Sequence, residues 1–209
     1  MKLYYSPGSS SLASHIVIKE MELPVDLHKV DLKTKKCASG ADYRLINPKG
    51  SVPALELSEG ELLTESSAIL LYLADLKPEL HMAPKPSTFD RIRLIEWLSF
   101  VSTELHKSFS PLFGAKSIVP EEEGQKQLKA YYIERIATRF GILEERLQSR
   151  PFLMGETFSV ADPALFTVLR WSRAMGIEIS RWPSLHKFMD RVGARPKVQL
   201  AMKTEGLAT

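Results

Sequence analysis

Cysteine is nearly absent from this chain of 209 residues, in which Cys37 is the single thiol. One cysteine cannot form an internal disulfide or supply a set of thiolate ligands, so the sequence excludes a disulfide-stapled fold and a zinc framework. We therefore expect no metal site. Long hydrophobic runs are also missing, because the longest apolar stretch, Ala68 to Ala74, is much shorter than a membrane-spanning helix requires.

A strong charge of one sign is missing as well. The 28 basic and 25 acidic residues leave a formal charge of +3, and no basic stripe alternates with aromatic residues, so we expect no nucleic-acid partner. The first residues, Met1 to Tyr5, do not open a long apolar segment of the kind found in secretory signal peptides. We expect a cytoplasmic protein without a membrane partner.

The residues that are present form two kinds of pattern along the chain. Up to about residue 80, short β-branched or aromatic runs alternate with helical patterns in the order βαβ, then αββα. Residues 81–87 carry Pro84 and Pro86 and indicate a linker. Helices are then predicted near residues 88–109, 120–148, 160–175, 183–193 and 197–203. The prediction is an α/β domain at 1–80 and an all-α domain at 88–209.

A proline stands at the entrance of one predicted strand, in Ser51-Val52-Pro53-Ala54. Proline has no N–H for a sheet ladder, so it suits the first residue of a strand. If the Val52–Pro53 bond is cis, the turn presents the backbone groups of Val52 to an extended peptide ligand, as a neighbouring strand would. A trans proline that only starts the strand is the alternative, and cis is the rarer isomer.

The segment Thr64-Glu65-Ser66-Ser67 marks the start of a predicted helix. Free N–H groups and the positive end of the helix dipole favour an anion at such a start. Ser66 can bind a carboxylate there, and Glu65 can bind a neighbouring ammonium group. A γ-glutamyl group carries both charges on one carbon and matches the pair. Ordinary capping of the helix by a hydroxyl is the alternative.

Two stripes run along the helix predicted before residue 109. The apolar stripe faces the core, and the polar stripe either lines a cleft against the first domain or is plain solvated surface. A lone histidine such as His106 is not usually catalytic. Glu104 lies off both stripes and could reach a neighbouring subunit. The apolar stripe comprises Leu94, Leu98, Val101 and Leu105, and the polar stripe comprises Ser99, Thr103 and His106.

The segment Ser159-Val160-Ala161-Asp162 has the spacing of a capping box, with Asp162 three residues after the N-cap Ser159. We interpret it as a folding element for the helix that follows.

Together these segments resemble the bacterial beta-class glutathione transferases over essentially the whole chain. Each segment is weak alone, but their order and spacing are specific. The resemblance implies a thioredoxin-like domain followed by an all-helical domain, in a homodimer. The matching segments are Met1-Lys2-Leu3-Tyr4-Tyr5, Pro7-Gly8, Asn47-Pro48-Lys49-Gly50-Ser51-Val52-Pro53, Leu63-Thr64-Glu65-Ser66, Ile95-Glu96-Trp97-Leu98, Glu104-Leu105-His106-Lys107, Ser159-Val160-Ala161-Asp162 and Glu205-Gly206-Leu207.

The resemblance also implies roles toward glutathione. Lys35 would approach the glycine carboxylate, and Val52, before Pro53, would pair through its backbone with the cysteinyl part. Glu65 and Ser66 would hold the γ-glutamyl end. The helical domain would line the cleft with Ser99, Thr103 and His106, and Glu104 would contact glutathione bound to the partner subunit.

Position 10 departs from the family, which typically has a cysteine where this chain has Ser10. A serine cannot form a mixed disulfide, so glutathione–disulfide exchange through this residue is excluded. At position 99 the family commonly has asparagine, so Ser99 has a shorter reach. In conjugation the nucleophile is the thiolate of glutathione itself, which a hydroxyl or a helix dipole can stabilise. We rank Ser10 first for this role, then Ser11, then Tyr5, with His106 as a further catalytic candidate. Helix capping by the serines and a sheet position for Tyr5 are the alternatives.

The resemblance implies a glutathione S-transferase that conjugates glutathione, as co-substrate and without another cofactor, to small hydrophobic electrophiles in detoxification. We expect Phe109, Phe113 and Trp171, with His106, to wall the electrophile pocket, although aromatic residues more often pack than bind. A glutathione-binding or regulatory scaffold without catalysis is the alternative. Isomerisation or dehalogenation of one metabolite would use the same site.

Overall fold

The computed structural model describes residues 1–58 and 60–207. Glu59, Ala208 and Thr209 lie outside the described residues, so the helical domain predicted to end at residue 209 is described as far as Leu207.

The first part of the chain forms a mixed five-stranded sheet with the strand order β3-β2-β1-β4-β5. Strand β1 pairs parallel with β2, and the other pairs are antiparallel. The two-residue strand β3 was not predicted. The elements are β1 (Lys2–Tyr5), α1 (Ser11–Glu20), β2 (Asp26–Asp31), β3 (Lys36–Cys37), a 3₁₀ turn (Tyr43–Leu45), β4 (Ala54–Glu56), β5 (Leu62–Thr64) and α2 (Ser66–Asp75).

The side chains of β1 alternate between the two faces of the sheet, as the period of a strand requires. Leu3 and Tyr5 join the main core, whereas Tyr4 packs with Val30 and Tyr43 on the other face. Helix α1 covers the main-core face. Its residues 11–18 are all buried because the helix also contacts α7 (Ala161–Leu169) and α10 (Pro196–Thr204) of the second part of the chain. Residues at the start of α1 therefore lie between the two parts.

The second part of the chain is helical. The helix predicted near residues 88–109 contains a π-helical segment, and the helix predicted near residues 160–175 is interrupted at Arg170. Among the described helices, none combines the length and apolar character needed to span a bilayer. The elements are a 3₁₀ turn (Pro78–Leu80), α3 (Phe89–Ser99), the π-helix (Phe100–His106), α4 (Lys107–Phe113), α5 (Ala115–Ile118), α6 (Glu122–Leu147), α7 (Ala161–Leu169), α8 (Trp171–Ala174), a 3₁₀ turn (Ile179–Arg181), α9 (Pro183–Gly193) and α10 (Pro196–Thr204).

The capping box before α7 is built around a buried carboxylate. Asp162 accepts the backbone N–H of Ser159 at 2.7 Å and that of Leu153 at 2.9 Å, and the Ser159 hydroxyl lies 3.1 Å away. Burial raises the pKa of Asp162 to about 6, against the hydrogen bonds that lower it. The N-cap of α7 is Val160, one residue after the predicted Ser159. The box ties the loop at Leu153 to the start of α7.

The predicted linker, residues 81–87, runs between the Pro78–Leu80 turn and α3. Contacts cross this junction. The Arg91 guanidinium binds the Asp75 carboxylate at 2.6 Å and donates to the Pro84 carbonyl at 3.1 Å, and the Val160 N–H donates to the Met82 carbonyl at 2.9 Å. The main core continues from one part of the chain into the other.

Candidate active site

The loop between β1 and α1 is held by two side chains from the helical part. The Gly8 N–H donates to Glu205 Oε2 at 2.9 Å, and Trp171 Nε1 donates to the Gly8 carbonyl at 2.8 Å. Gly8 has a φ of +70°, and a Cβ atom there would lie 3.3 Å from Leu207. Only glycine fits this close approach without strain. Glu205 Oε1 also accepts a hydrogen bond from Nδ1 of the buried His15 at 2.9 Å, which links the loop to α1.

The serines at the start of α1 have different surroundings. Ser11 is fully buried; its Oγ donates to the Ser6 carbonyl at 3.2 Å and accepts the Ser6 N–H at 3.1 Å. Ser9 Oγ lies 2.8 Å from Ser11 Oγ. Ser10 is half-buried and its hydroxyl donates to the Val52 carbonyl at 2.9 Å. Ser11, predicted as a second catalytic hydroxyl, thus closes the loop and is out of reach of a ligand.

The loop facing Ser10 contains the Val52–Pro53 peptide bond, which is cis, the isomer that the ligand-binding interpretation requires. Its carbonyl groups are fixed by side chains. Lys35 Nζ donates to the Gly50 carbonyl at 2.8 Å. Tyr43 Oη and Asn47 Nδ2 both donate to the Ser51 carbonyl, at 2.9 and 2.8 Å. Lys35 therefore stands at one end of this loop and Ser10 at the other.

Helix α2 begins at Ser66, next to a residue in an unusual conformation. Glu65 has a φ of +71°, which is uncommon for a residue with a side chain and clusters at functional sites. No side-chain cap bond is formed at this helix start. The exposed Glu65 carboxylate instead accepts a hydrogen bond from Lys49 Nζ at 2.7 Å. A charged pair and the free N–H groups of α2 thus lie side by side.

The π-helix divides the predicted polar stripe of Ser99, Thr103 and His106. Ser99 and Thr103 are exposed, and the Thr103 hydroxyl donates to the Ser99 carbonyl at 2.9 Å, whereas His106 faces inward beside Ser102. Hydrogen bonds from i to i+5 widen the turn and change which side chains share a face. The prediction of one continuous stripe is therefore wrong, and it missed Ser102. The i, i+4 spacing of Ser102 and His106 was the sequence signal that could have identified Ser102.

An interdomain cavity of about 20 Å³ joins these elements. The first part of the chain contributes α1 and α2, and the helical part contributes α3, the π-helix and α7. The polar residues that line it are Ser10, Ser66, Ser67, Ser102, His106 and Thr167. The structure therefore brings together Ser10, Ser66 and His106, three of the residues that sequence reasoning selected, and adds Ser67, Ser102 and Thr167.

His106 is held against an aromatic ring. Its imidazole lies 4.9 Å from the Trp171 ring in an edge-to-face arrangement. Burial, with a smaller contribution from Lys107, lowers the pKa of His106 below its ordinary value of 6.5. The imidazole is therefore neutral at pH 7 and can donate one hydrogen bond and accept another.

Trp171 is also the centre of the predicted electrophile pocket. Phe109 and Phe113 meet its ring at centroid distances of 5.8 and 5.6 Å. Phe113 is 56% exposed, whereas Phe109 is fully buried and packs against Phe140. Phe109 was predicted to contact substrate, and this burial makes it instead the support beneath Trp171. Phe113, Trp171 and His106 form the accessible aromatic surface.

Two other predicted residues are engaged elsewhere. Tyr5 belongs to the core and packs on His15 at 6.1 Å, and burial, followed by the charge of Glu205, raises the pKa of its hydroxyl. Glu104 binds Arg139 at 2.8 Å and Arg135 at 3.1 Å within the same chain, and the Arg139 hydrogen bond lowers the pKa of its carboxyl. Tyr5 is not among the described residues that line the interdomain cavity.

Among residues 1–58 and 60–207, no group of three His, Cys, Asp or Glu side chains is arranged to hold a metal ion. The site consists of hydroxyl groups, one imidazole, backbone amides and flanking charges. Such a set can bind a zwitterionic peptide and stabilise a developing anion.

Family models match both parts of the chain. The model described as "Glutathione S-transferase, N-terminal domain" matches residues 9–76, and the one described as "Glutathione S-transferase, C-terminal domain" matches residues 100–196. The chain is 41% identical to glutathione S-transferase GstA of Escherichia coli O157:H7, and the match covers 99% of this chain and 100% of that one.

Solved structures of glutathione S-transferases also resemble this chain over its whole length. The beta-class glutathione S-transferase of Sphingomonas chungbukensis is 43% identical with a TM-score of 0.91, and the match covers 100% of both chains. A sphingomonad glutathione S-transferase complexed with glutathione is 40% identical with a TM-score of 0.91, again over 100% of both chains. These likenesses confirm the predicted fold, a thioredoxin-like domain followed by a helical domain.

Proposed function

Because the chain belongs to the glutathione S-transferase family, we propose that it conjugates the thiolate of reduced glutathione to small hydrophobic electrophiles. Sequence similarity to named glutathione S-transferases, at 41% and 36% identity over 99% of this chain, supports this function. The observation that carries it to a specific site is the Ser10 hydroxyl, which lies at the start of α1, 2.9 Å from the Val52 carbonyl. Ser10, Ser66 and His106 all border one cavity.

Glutathione binding follows from three groups of contacts. The backbone of Val52, before Pro53, pairs with the cysteinyl residue, as an added strand does. The N-terminus of α2 with Ser66 binds the γ-glutamyl carboxylate, and Glu65 binds the neighbouring ammonium group. The Lys35 ammonium group, already at the Gly50 carbonyl, is close enough to this loop to bind the glycine carboxylate.

The helical domain supplies the remaining proposed contacts to glutathione. Ser99 and Thr103 offer exposed hydroxyl groups on the helical domain, and His106 borders the cleft. Glu104 remains our proposal for a contact to glutathione in the partner subunit. Its carboxylate would then extend an existing network with Arg135 and Arg139.

Thiolate stabilisation is the chemical task of the site. A free thiol has a pKa of about 8.5 and is mostly protonated at neutral pH. When the cysteinyl N–H of glutathione donates to the Val52 carbonyl, it competes with the Ser10 hydroxyl for this acceptor, and the hydroxyl can turn to the sulfur. A hydroxyl donor and the positive end of α1 both favour S⁻ over SH. The pKa of the bound thiol should therefore fall.

The electrophile would approach the thiolate from the aromatic side. Phe113 and Trp171 form an apolar surface next to His106, and Trp171 is tied to the glutathione-binding loop through Gly8. Because residue 10 is a serine, exchange with disulfides through this position is excluded. The relatives that are named transferases favour catalysis over a glutathione-binding scaffold without turnover.

We also propose that the protein is cytoplasmic, and that it forms a homodimer, as the family resemblance implies. Gel filtration with light scattering tests the dimer.

A conjugation assay with an activated aryl chloride, an enone and an epoxide tests the function. We expect glutathione-dependent product from the wild type, and a raised KM for glutathione with a smaller change in kcat for Ser66→Ala. Ser184→Ala is the matched control, because it removes a hydroxyl from the first turn of α9, where Ser184 is not one of the residues that line the cavity. Failure of the wild type to conjugate any of the electrophiles, with glutathione saturating, would contradict the proposal.

A further inference from the structure

Thr167 lies on α7 with 1% of its surface exposed, and its Oγ1 has no hydrogen-bond partner among the residues that the structure describes. A buried hydroxyl without a partner is costly and rare in native proteins. The side chain lines the interdomain cavity, on the helical-domain side, across from α1 and α2. The cavity is therefore the place beside Thr167 where a ligand for this hydroxyl would lie.

The volume of the cavity limits which ligand can occupy it. Its volume of about 20 Å³ exceeds the ~10–15 Å³ needed for one water molecule and is far below the ~300 Å³ of a small-molecule pocket. An electrophile does not fit. Dry cavities in proteins are lined by apolar groups throughout, whereas in this one six apolar residues share the lining with five hydroxyl-bearing residues and one histidine.

We propose that the cavity holds one ordered water molecule, anchored by the hydroxyl groups of Thr167 and Ser102, that donates a hydrogen bond to the glutathione thiolate. Thr167 and Ser102 are then positioning residues, which act on the sulfur through the water. The proposal rests on the proposed function, because it assumes that the sulfur lies next to Ser10.

The position of Ser10 connects the water to the chemistry. Ser10 borders the same cavity and is the proposed direct donor to the sulfur. A single hydroxyl replaces the family's cysteine here, so a second donor adds to the stabilisation of S⁻. His106, neutral near pH 7, borders the cavity as well and can exchange hydrogen bonds with the same water.

The test compares Thr167→Val with the wild type by titrating the ultraviolet absorbance of the thiolate of bound glutathione. Valine keeps the shape of threonine but removes the hydroxyl. We expect the pKa of the bound thiol to rise by roughly half a unit to one unit, the worth of one hydrogen bond. The affinity for glutathione should change less than twofold, because Thr167 is not among the residues that we propose bind the charged ends of the peptide.

Ser172→Ala is the matched control, since Ser172 is also fully buried, its Oγ has no hydrogen-bond partner within residues 1–58 and 60–207, and it does not line the cavity. It should leave the thiol pKa unchanged. If Thr167→Val does not fold, Ser102→Ala approaches the same water from the π-helix, and Thr167→Ser should retain the wild-type pKa.

Two results would overturn the water site and leave the transferase function standing. One is an unshifted thiol pKa together with a higher melting temperature in Thr167→Val, which would mean that the hydroxyl is simply unpaired. The other is a high-resolution structure of the glutathione complex without water at Thr167. If the wild type does not lower the thiol pKa at all, the proposed function fails first.

Discussion

Ser10 shows how one hydroxyl can stand where a thiol is usual. A serine cannot exchange disulfides, but its O–H is a better hydrogen-bond donor than S–H. In the structure the Ser10 hydroxyl donates to the Val52 carbonyl, an acceptor that a bound peptide would also use. Ser11, next in sequence, is locked by Ser6 and cannot substitute for it.

His106 gives a residue-scale prediction about pH. Burial holds its pKa below 6.5 in the folded protein. As pH falls below that value, the unfolded chain binds a proton before the folded protein does, so the unfolding free energy should decrease. His106→Gln should weaken this acid dependence. Urea unfolding between pH 5 and 7.5, at fixed protein concentration, measures it.

The exposed His186 provides the control through His186→Gln, which removes an imidazole from the surface. Identical acid dependence in the wild type and His106→Gln would mean that the His106 environment does not disfavour its charge.

The Ser159–Asp162 box gives the prediction at the scale of an element. Asp162→Ala should lower the unfolding free energy by roughly 3 kcal/mol or more, because it leaves buried donors on Leu153 and Ser159 without a partner. Ser159→Ala removes one hydroxyl from the same box and should cost only about 1 kcal/mol. Chemical denaturation followed by circular dichroism compares the two.

Equal losses in the two variants would show that the carboxylate is not the centre of the box. Activity at a permissive temperature should survive in both, since the box does not touch the cavity.

The helices also show which structural features could be predicted from sequence patterns. The apolar stripe that runs through α3 and the π-helix was predictable, as was the capping box, because both depend on local spacing. The π-helix was not, since i to i+5 hydrogen bonds leave no distinct pattern in composition. That shift is why Ser102 was missed and why Ser99 and Thr103 face outward. In the sequence, Thr167 stands within an apolar helical segment. Only the tertiary packing shows that it borders the cavity.

At the scale of the whole molecule, one core serves both domains. Buried residues of the first part, such as Leu3 and Ile69, belong to the same cluster as Leu94 and Leu165 of the helical part. Arg195 pairs with Glu20 at 2.6 Å across the boundary. The order βαβ, then αββα, then helices was predictable from alternating patterns, but the shared core was not, since it joins residues far apart in the sequence.

The shared core predicts that the two domains unfold together. Trp97, Trp171 and Trp182 all lie in the helical part, whereas the single cysteine, Cys37, lies in the sheet. Tryptophan fluorescence and the reactivity of the Cys37 thiol should therefore change at the same urea concentration. Two separate midpoints would show that the domains are independent, contrary to this account.

The central claim is that this site ionises glutathione with a serine at position 10. The measurement that tests it most directly is a titration of the ultraviolet thiolate absorbance of glutathione bound to the wild type and to Ser10→Ala, from pH 5 to 9. We predict a bound thiol pKa well below the free value of about 8.5 in the wild type and a rise toward that value in Ser10→Ala, while Ser9→Ala retains the wild-type pKa. A bound thiol that titrates as it does in free solution, or that ionises equally well without the Ser10 hydroxyl, would contradict the claim.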